Sequence, residues 1–324
     1  MNILLLFSKT DFPEIFINGF IKLVGKDNIH FDISLPLDEY DFIIIFRGYI
    51  LINLPKVMHV LKKANEVAII DVLDDLLIHK LFFHPKIKVY FKREFYNLSL
   101  NHIESLTDWW YKFYLNYLSM KNMFNHLNFF ETIKAYHSSK LKPLPLSYIE
   151  NPNFKPSDSK TIDVSYIVRL PTFLNIKHKL AEMKLFKERI SIAKFLKLFK
   201  NSFIYLDLWP KKGLSHETYL KVLSESLCSV STYGAGFDTI RYWEIPYSGS
   251  VLISRRPRTL IPNNLKEGKH AFFFDNLKEL KQHVEYIIED PDYAIKIGRE
   301  AREFVMKYHS PEARAKAIIN ALTQ

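Results

Sequence analysis

Apolar residues in this chain follow two registers that alternate along the first half. Asn2 to Phe7, Asp41 to Phe46, Val67 to Asp71 and Ile87 to Phe91 are short, nearly unbroken apolar runs. Such runs predict strands buried on both faces. Between them, Pro13 to Val24 and Leu54 to Ala64 place apolar residues at helical spacing. Strand and helix in alternation predict an α/β fold with a doubly wound parallel sheet. From Asn101 to Ser139 the pattern turns helical and aromatic, with Trp109, Trp110, Tyr111, Phe113, Tyr114, Tyr117, Phe124, Phe129 and Phe130 interleaved with Lys112 and Lys121. Packing at a domain edge, a membrane-surface helix and a platform for an acceptor sugar are three readings of that stripe.

Residues 149–161, IENPNFKPSDSKT, interrupt the alternation with two prolines and a polar cluster, as a linker does. The alternation then resumes. Val164 to Val168, Phe203 to Leu206, Ser229 to Ser231, Ser250 to Ile253 and Ala271 to Phe274 read as strands. Helical spacing links Ile192, Phe195, Leu196 and Phe199, then Leu220, Leu223 and Leu227, then Leu277, Leu280, Val284 and Ile287. A last helix is expected from Pro311 onward. A chain of 324 residues with 48% hydrophobic content supports two domains, each with its own core.

Composition narrows the function classes. One cysteine, Cys228, allows no disulfide framework and no cysteine-based metal site, and its apolar setting predicts a buried structural thiol. The 12 histidines show no HExxH or paired spacing, and no Asp-x-Asp stands at a strand end, so no metal site is expected. His270 and His309 read as surface or packing residues. The start, MNILLLFSKTDF, lacks a basic leader region, and Arg47 closes the most apolar run, FIIIF, so the expected location is cytoplasmic. P-loop and dinucleotide fingerprints are missing, which argues against an ATPase or a dehydrogenase. The net charge of +10 suits an acidic partner, yet Lys and Arg are spread along the whole chain.

Functional groups concentrate between Tyr233 and Ser254, YGAGFDTIRYWEIPYSGSVLIS, which reads as glycine loop, short helix, turn and strand. Gly234 and Gly236 permit close approach of a ligand to the backbone. Asp238 is a natural N-cap, so a helix is expected from Thr239. Its first N–H groups would face a phosphate over the loop, with Arg241 in the first turn reaching the same phosphates. Glu244, six residues past the cap, lies roughly 9 Å along the axis, the reach from a diphosphate to a ribose whose hydroxyls a carboxylate can accept. Phe237 and Trp243 can stack or pack. A tight turn followed by a solvated Glu is the alternative reading of the same residues.

GFDTIRYWEIPYSGSVLIS resembles the donor-binding segment of GT-B glycosyltransferases, especially the glycosyltransferase family 1 group and the exostosin-like enzymes, whose pattern runs Gly, Asp or Thr, Arg, Glu, Gly. Val89 to Phe95 (VYFKREF) is similar to a strand segment of that group's first domain, Lys142 to Tyr148 (KPLPLSY) to its interdomain crossing, Ile162 to Leu170 to the first strand of its second domain, and Lys307 to Ala315 to its closing helix. One departure is that many members of the wider fold carry an acid eight residues before the ribose-binding Glu, where this chain has Gly236.

The resemblance implies two Rossmann-like doubly wound domains facing a cleft. Residues 1–148 form the acceptor side, residues 149–311 bind the nucleotide sugar, and the final helix 312–324 packs back on the first domain. It implies a metal-independent glycosyltransferase of the hexosyl type. The donor is a nucleoside-diphosphate sugar, no cofactor is needed, and the acceptor hydroxyl belongs to a glycan, a lipid-linked molecule or a protein. Donor-binding residues are Tyr233, Gly234, Gly236, Phe237, Asp238, Thr239, Arg241 and Glu244. Ligands of open α/β sheets bind beyond the carboxyl ends of the strands, which adds Arg169, Arg255 and Arg256 from the second domain. From the first they are Ser8 to Asp11, Arg47, Asp71 to Asp75, Lys92 and Arg93. Arg169 is expected to clamp the leaving diphosphate. Asp11, Asp74 and Asp75 are the candidate bases; Asp74 is preferred, although VLDD also makes a helix cap. A lipid-linked acceptor implies peripheral contact at the inner membrane face. Nucleic acid is not the expected partner. A sugar-nucleotide epimerase or hydrolase of the same fold, or a basic nucleic-acid-binding protein, are the rival readings.

Overall fold

The computed structural model describes residues 1–9, 11, 13–73, 75–96, 125–170, 179–207, 213–234 and 236–324. The expectations for Asp74 and for the aromatic residues from Trp109 to Phe124 lie outside them. Both sheets are parallel throughout. The first contains β1 (Ile3–Leu6), β2 (Ile29–His30), β3 (Phe42–Phe46), β4 (Val67–Asp71), β5 (Ile87–Lys92) and β6 (Leu141–Pro143), in the order β2-β1-β3-β4-β5-β6. The second contains β7 (Ile162–Arg169), β8 (Ser202–Asp207), β9 (Ser226–Ser231), β10 (Val251–Arg255) and β11 (Ala271–Phe274), in the order β11-β10-β9-β7-β8. Each order reverses once, between β1 and β3 and between β7 and β9. A crevice opens at such a point because successive connections leave it in opposite directions.

Helices lie where the apolar spacing changes. In the first half these are α1 (Glu14–Val24), α2 (Arg47–Lys63) and α3 (Phe129–Tyr136). α2 begins seven residues ahead of the expected Leu54 and is broken at Asn53, whose φ of −129° and ψ of 33° are not helical. Pro55, which has no N–H and whose ring crowds the turn before it, explains the kink. The Asn128–Glu131 capping box starts α3.

The second half carries α4 (Lys179–Leu196), α5 (His216–Glu225), α6 (Ile240–Tyr247), α7 (Leu277–Glu289), α8 (Pro291–Tyr308) and α9 (Pro311–Thr323). Leu220 and Leu223 face inward from α5, but Leu227, expected on the same helix, belongs to β9. Ser226 ends the helix, its hydroxyl donating to the Val222 carbonyl, and the apolar run then continues as strand. Among the described residues no helix is long and apolar enough to cross a membrane. Cys228 is a buried free thiol, pushed up by burial.

One apolar cluster runs through both halves, joining Ile3, Phe16 and Phe46 to Trp243, Leu252 and Phe273. The chain crosses from one sheet to the other through residues 144–149 and returns near residue 309. Arg314 on α9 ties the two crossings, its guanidinium donating to the Leu146 carbonyl at 3.0 and 3.1 Å. α9 then lies against α1, where Ala315, Ile318 and Leu322 join the cluster of Phe16 and Phe20. The carboxyl ends of β7 and β8 and the connection after β9 therefore face residues that follow β5.

Candidate functional site

A cavity of about 520 Å³ occupies the crevice at the reversal point of the second sheet. Arg169 at the end of β7, Asp207 at the end of β8, His216 and Tyr219 on α5, and Arg241 and Glu244 on α6 all line it. The first domain contributes Arg93, and the crossing contributes Leu146 and Ile149.

Glu244 sits on the buried side of α6 with only 5% of its surface exposed. His216 Nε2 lies 2.9 Å from its Oε1. That hydrogen bond raises the imidazole above its ordinary value against the opposing effect of burial. The Tyr219 phenol is raised well above its usual range, first by burial and then by the charge of Glu244. Glu244 and Arg241 act on it in opposite directions, the carboxylate raising it and the guanidinium lowering it. Among the described residues the buried Nη1 of Arg241 has no hydrogen-bond partner, a donor left over for a ligand. A carboxylate that can accept hydrogen bonds from ribose hydroxyls thus stands beside a guanidinium that can donate to a phosphate.

The glycine loop is built more tightly than the sequence indicates. Gly234 N–H donates to the Gly236 carbonyl at 3.0 Å, and a Cβ on Gly234 would stand 3.2 Å from Thr239 Cγ2. The expected start of the helix is displaced: Thr239 is extended, with φ −118° and ψ 151°, and α6 begins at Ile240. Asp238 is not its N-cap. The Asp238 carboxylate accepts instead from the Leu146 N–H on the crossing and from Trp243 Nε1 at 2.8 Å. Burial pushes it up to about 6, against the pull of nearby Arg93.

Phe237 does not line the cavity. Its ring meets those of Tyr233, at 4.2 Å, and Tyr96, at 5.8 Å, and joins the first-domain core. Tyr233 donates its hydroxyl to the Arg256 carbonyl at 2.6 Å. Trp243 is wholly buried and stacks on His309, whose Nε2 reaches the Asn263 carbonyl. His309 is a packing residue, and so is His270, which lies against Phe304.

Arg169 Nε donates to Asp207 Oδ2 at 2.9 Å while its side chain remains 56% exposed. Arg189, on α4, lies beneath it. It donates to the carbonyls of Arg169 and Tyr233 and is lowered to about 10, first by burial and then by Arg241. Arg255 and Arg256 are both ion-paired, the first with Glu188 and the second, which stays exposed, with Glu267 and Asp275. Arg189, His216 and Tyr219 are not among the expected site residues. Their only signal is position: two stand in the first turn and a half of a helix that Ser215 caps.

The first-domain candidates are mostly consumed by structure. Arg47, Asp71 and Lys92, at the ends of β3, β4 and β5, are wholly buried. Asp71 Oδ2 accepts from Arg47 and Lys92, both at 2.9 Å, and from the Tyr90 hydroxyl at 2.8 Å. Asp75 takes a two-pronged contact from Arg47, at 2.5 and 3.1 Å. Burial alone would raise Asp75, but Arg47 and Lys92 hold it down at about 2, too acidic for a general base. Asp11 closes the loop after β1, accepting from Ser8 N–H and hydroxyl and from Gly48 N–H at 2.9 Å. Among the described residues no group of three or more His, Cys, Asp or Glu is arranged to hold a metal ion.

Residues 188–320 match the family model described as glycosyl transferase-like. Three solved structures share the whole fold. Anabaena HepE in complex with UDP has a TM-score of 0.53 at 13% identity over 100% of both chains. An alpha-glucosyltransferase (AGT) in complex with UDP has a TM-score of 0.52 at 9% identity over 100% of both chains. T4 phage BGT in complex with its UDP-glucose substrate has a TM-score of 0.51 at 13% identity, again over 100% of both chains. No curated protein matches the chain in sequence. The fold is GT-B, as the resemblance implied.

Proposed function

We propose that this GT-B chain, glycosyl transferase-like over residues 188–320, moves a sugar from a nucleoside-diphosphate sugar to an acceptor hydroxyl. The observation that carries the reading is the convergence, in one cavity at the reversal point of the second sheet, of Glu244 and of Arg241, whose Nη1 has no hydrogen-bond partner among the described residues. Glu244 accepts the ribose hydroxyls. Arg241, with Arg169 at the rim, takes the negative charge that gathers on the diphosphate as the glycosidic bond breaks. Gly234, Gly236 and Thr239 let the pyrophosphate approach the backbone. Tyr233, Phe237 and Asp238 act behind the loop, fixing its path. Because guanidinium groups meet the leaving charge, the transfer needs neither metal nor cofactor in this reading.

The transferred group is a hexose, and UDP-glucose is the first donor to test, since structures sharing the fold hold UDP or UDP-glucose. Asp74 remains the proposed base, supported by the ion pairs that occupy its neighbours Asp71 and Asp75. Residues 1–148 present the acceptor, a glycan, lipid-linked or protein hydroxyl, residues 149–311 hold the donor, and 312–324 belong with the first unit. A lipid-linked acceptor would bring the protein to the inner face of a membrane.

Calorimetric titration with UDP, GDP, ADP, CMP and TDP sugars tests the donor site, with Glu244→Ala as control. One nucleotide should bind selectively, and the variant should lose at least tenfold in affinity. Failure of all five to bind wild-type protein would overturn the reading. Incubation with the bound donor alone separates transfer from hydrolysis and epimerisation, which release product without an acceptor.

A further inference from the structure

Glu94 stands two residues past the end of β5 in the first half of the chain and is wholly buried. Its carboxylate does not line the cavity. It accepts instead from the backbone N–H of Phe237, at 3.2 Å, and of Asp238, at 3.1 Å. These are the two amides that lead from the glycine loop into α6. Neighbouring contacts repeat the same link: Leu260 N–H donates to the Phe95 carbonyl at 2.6 Å, Tyr96 bridges to Thr259, and the Phe237 ring meets Tyr96.

We infer that Glu94 is a positioning residue of the donor site, supplied by the acceptor side of the molecule. The inference rests on the donor site proposed above. α6 has only eight residues, so the path of residues 236–239 decides where Arg241 and Glu244 point. Two charge-assisted hydrogen bonds to a buried carboxylate hold that path more firmly than neutral ones would. Together with Arg93, whose Nε lies 3.8 Å from Glu94 Oε1, these bonds offset the cost of burying the carboxylate and keep loop and carboxylate in place. The amides of Phe237 and Asp238 are therefore not the phosphate-binding donors. The loop is held from behind by Glu94 and meets its ligand with Gly234, Thr239 and Arg241.

Glu94→Gln tests this in the full chain. Its amide retains one acceptor oxygen and turns an NH2 toward the second loop N–H, while adding almost no volume. Donor affinity, read by titration with UDP-glucose and with UDP, should fall tenfold or more. Glu94→Asp, which keeps the charge but shortens the reach, should fall between the two. Hydrogen exchange should show faster exchange at the Phe237 and Asp238 amides of Glu94→Gln, with β9 and β10 protected as in wild type. Faster exchange there with unchanged donor affinity would reduce Glu94 to a structural tie and overturn the inference. So would an affinity loss that accompanies loosening throughout β9 and β10. If wild-type protein binds no nucleotide sugar, the donor-site reading fails first, and the positioning role fails with it.

Discussion

His216 Nε2 and Glu244 Oε1 lie 2.9 Å apart, joining the first turn of α5 to the middle of α6. The carboxylate that would hold a ribose is thus already aimed before any ligand arrives. Tyr219, one turn further along α5, lines the same cavity.

Glu244→Gln should bring the His216 pKa down toward its ordinary value, because the hydrogen bond from Glu244 is the first cause of its rise. A histidine raised in the folded state stabilises fully below the unfolded value near 6.5, and the contribution fades as pH rises through the folded value. NMR titration of the His216 ring checks this. An unchanged ring pKa in the variant would mean that the pair does not form.

Asp71→Asn should destabilise the protein by about 3–5 kcal/mol, the range for removing one partner of a buried ion pair. Both Arg47 and Lys92 are wholly buried and share its Oδ2, so each would keep a charge with one fewer acceptor. Urea denaturation would show a lower midpoint with an unchanged slope. The same residues show why a position after a strand misleads as a guide to chemistry: here three such ends satisfy one another.

Acid should weaken the fold between about pH 6.5 and 4. Burial, then His126, lowers His79 to about 4, and burial, then Arg314, lowers His309 to about 3. The unfolded chain takes up those protons near 6.5, so stability is full above that value and is lost as pH falls. Asp238, raised by burial to about 6, acts the other way, gaining stability as it protonates ahead of its unfolded value. The two histidines together outweigh Asp238, so acid lowers stability. Denaturant midpoints at pH 7 and pH 4.5 measure the difference. A higher midpoint at pH 4.5 would mean that Asp238 dominates.

Strands that carry the parallel sheets were legible because burial on both faces leaves continuous apolar runs, as in Ile43 to Phe46. β2 and β6, of two and three residues, are too short to leave one. Residue types were legible in the glycine loop, but their partners were not. Asp238 looks like a cap in sequence because capping is local. Of its two actual partners, Trp243 Nε1 is five residues away but the Leu146 N–H is 92. Glu94 and Arg189 escaped notice for the same reason, since each acts through backbone atoms of a segment distant in sequence.

Gly19→Ala offers a test in which the sign of the effect decides. In an ordinary helix interior the change stabilises by about 0.5–1 kcal/mol, because glycine loses more freedom on folding. On α1 the added Cβ would stand 2.0 Å from the Pro311 carbonyl oxygen, a backbone atom at the start of α9 that cannot swing aside. The two helices would have to separate, disturbing Ala315, Ile318 and Leu322 where they pack with Phe16 and Phe20. Overpacking of this kind costs about 1–3 kcal/mol or more. Thermal unfolding should therefore show a lower Tm. A rise would mean that α9 does not rest on α1, and the return of the chain to the first sheet would lose its main support.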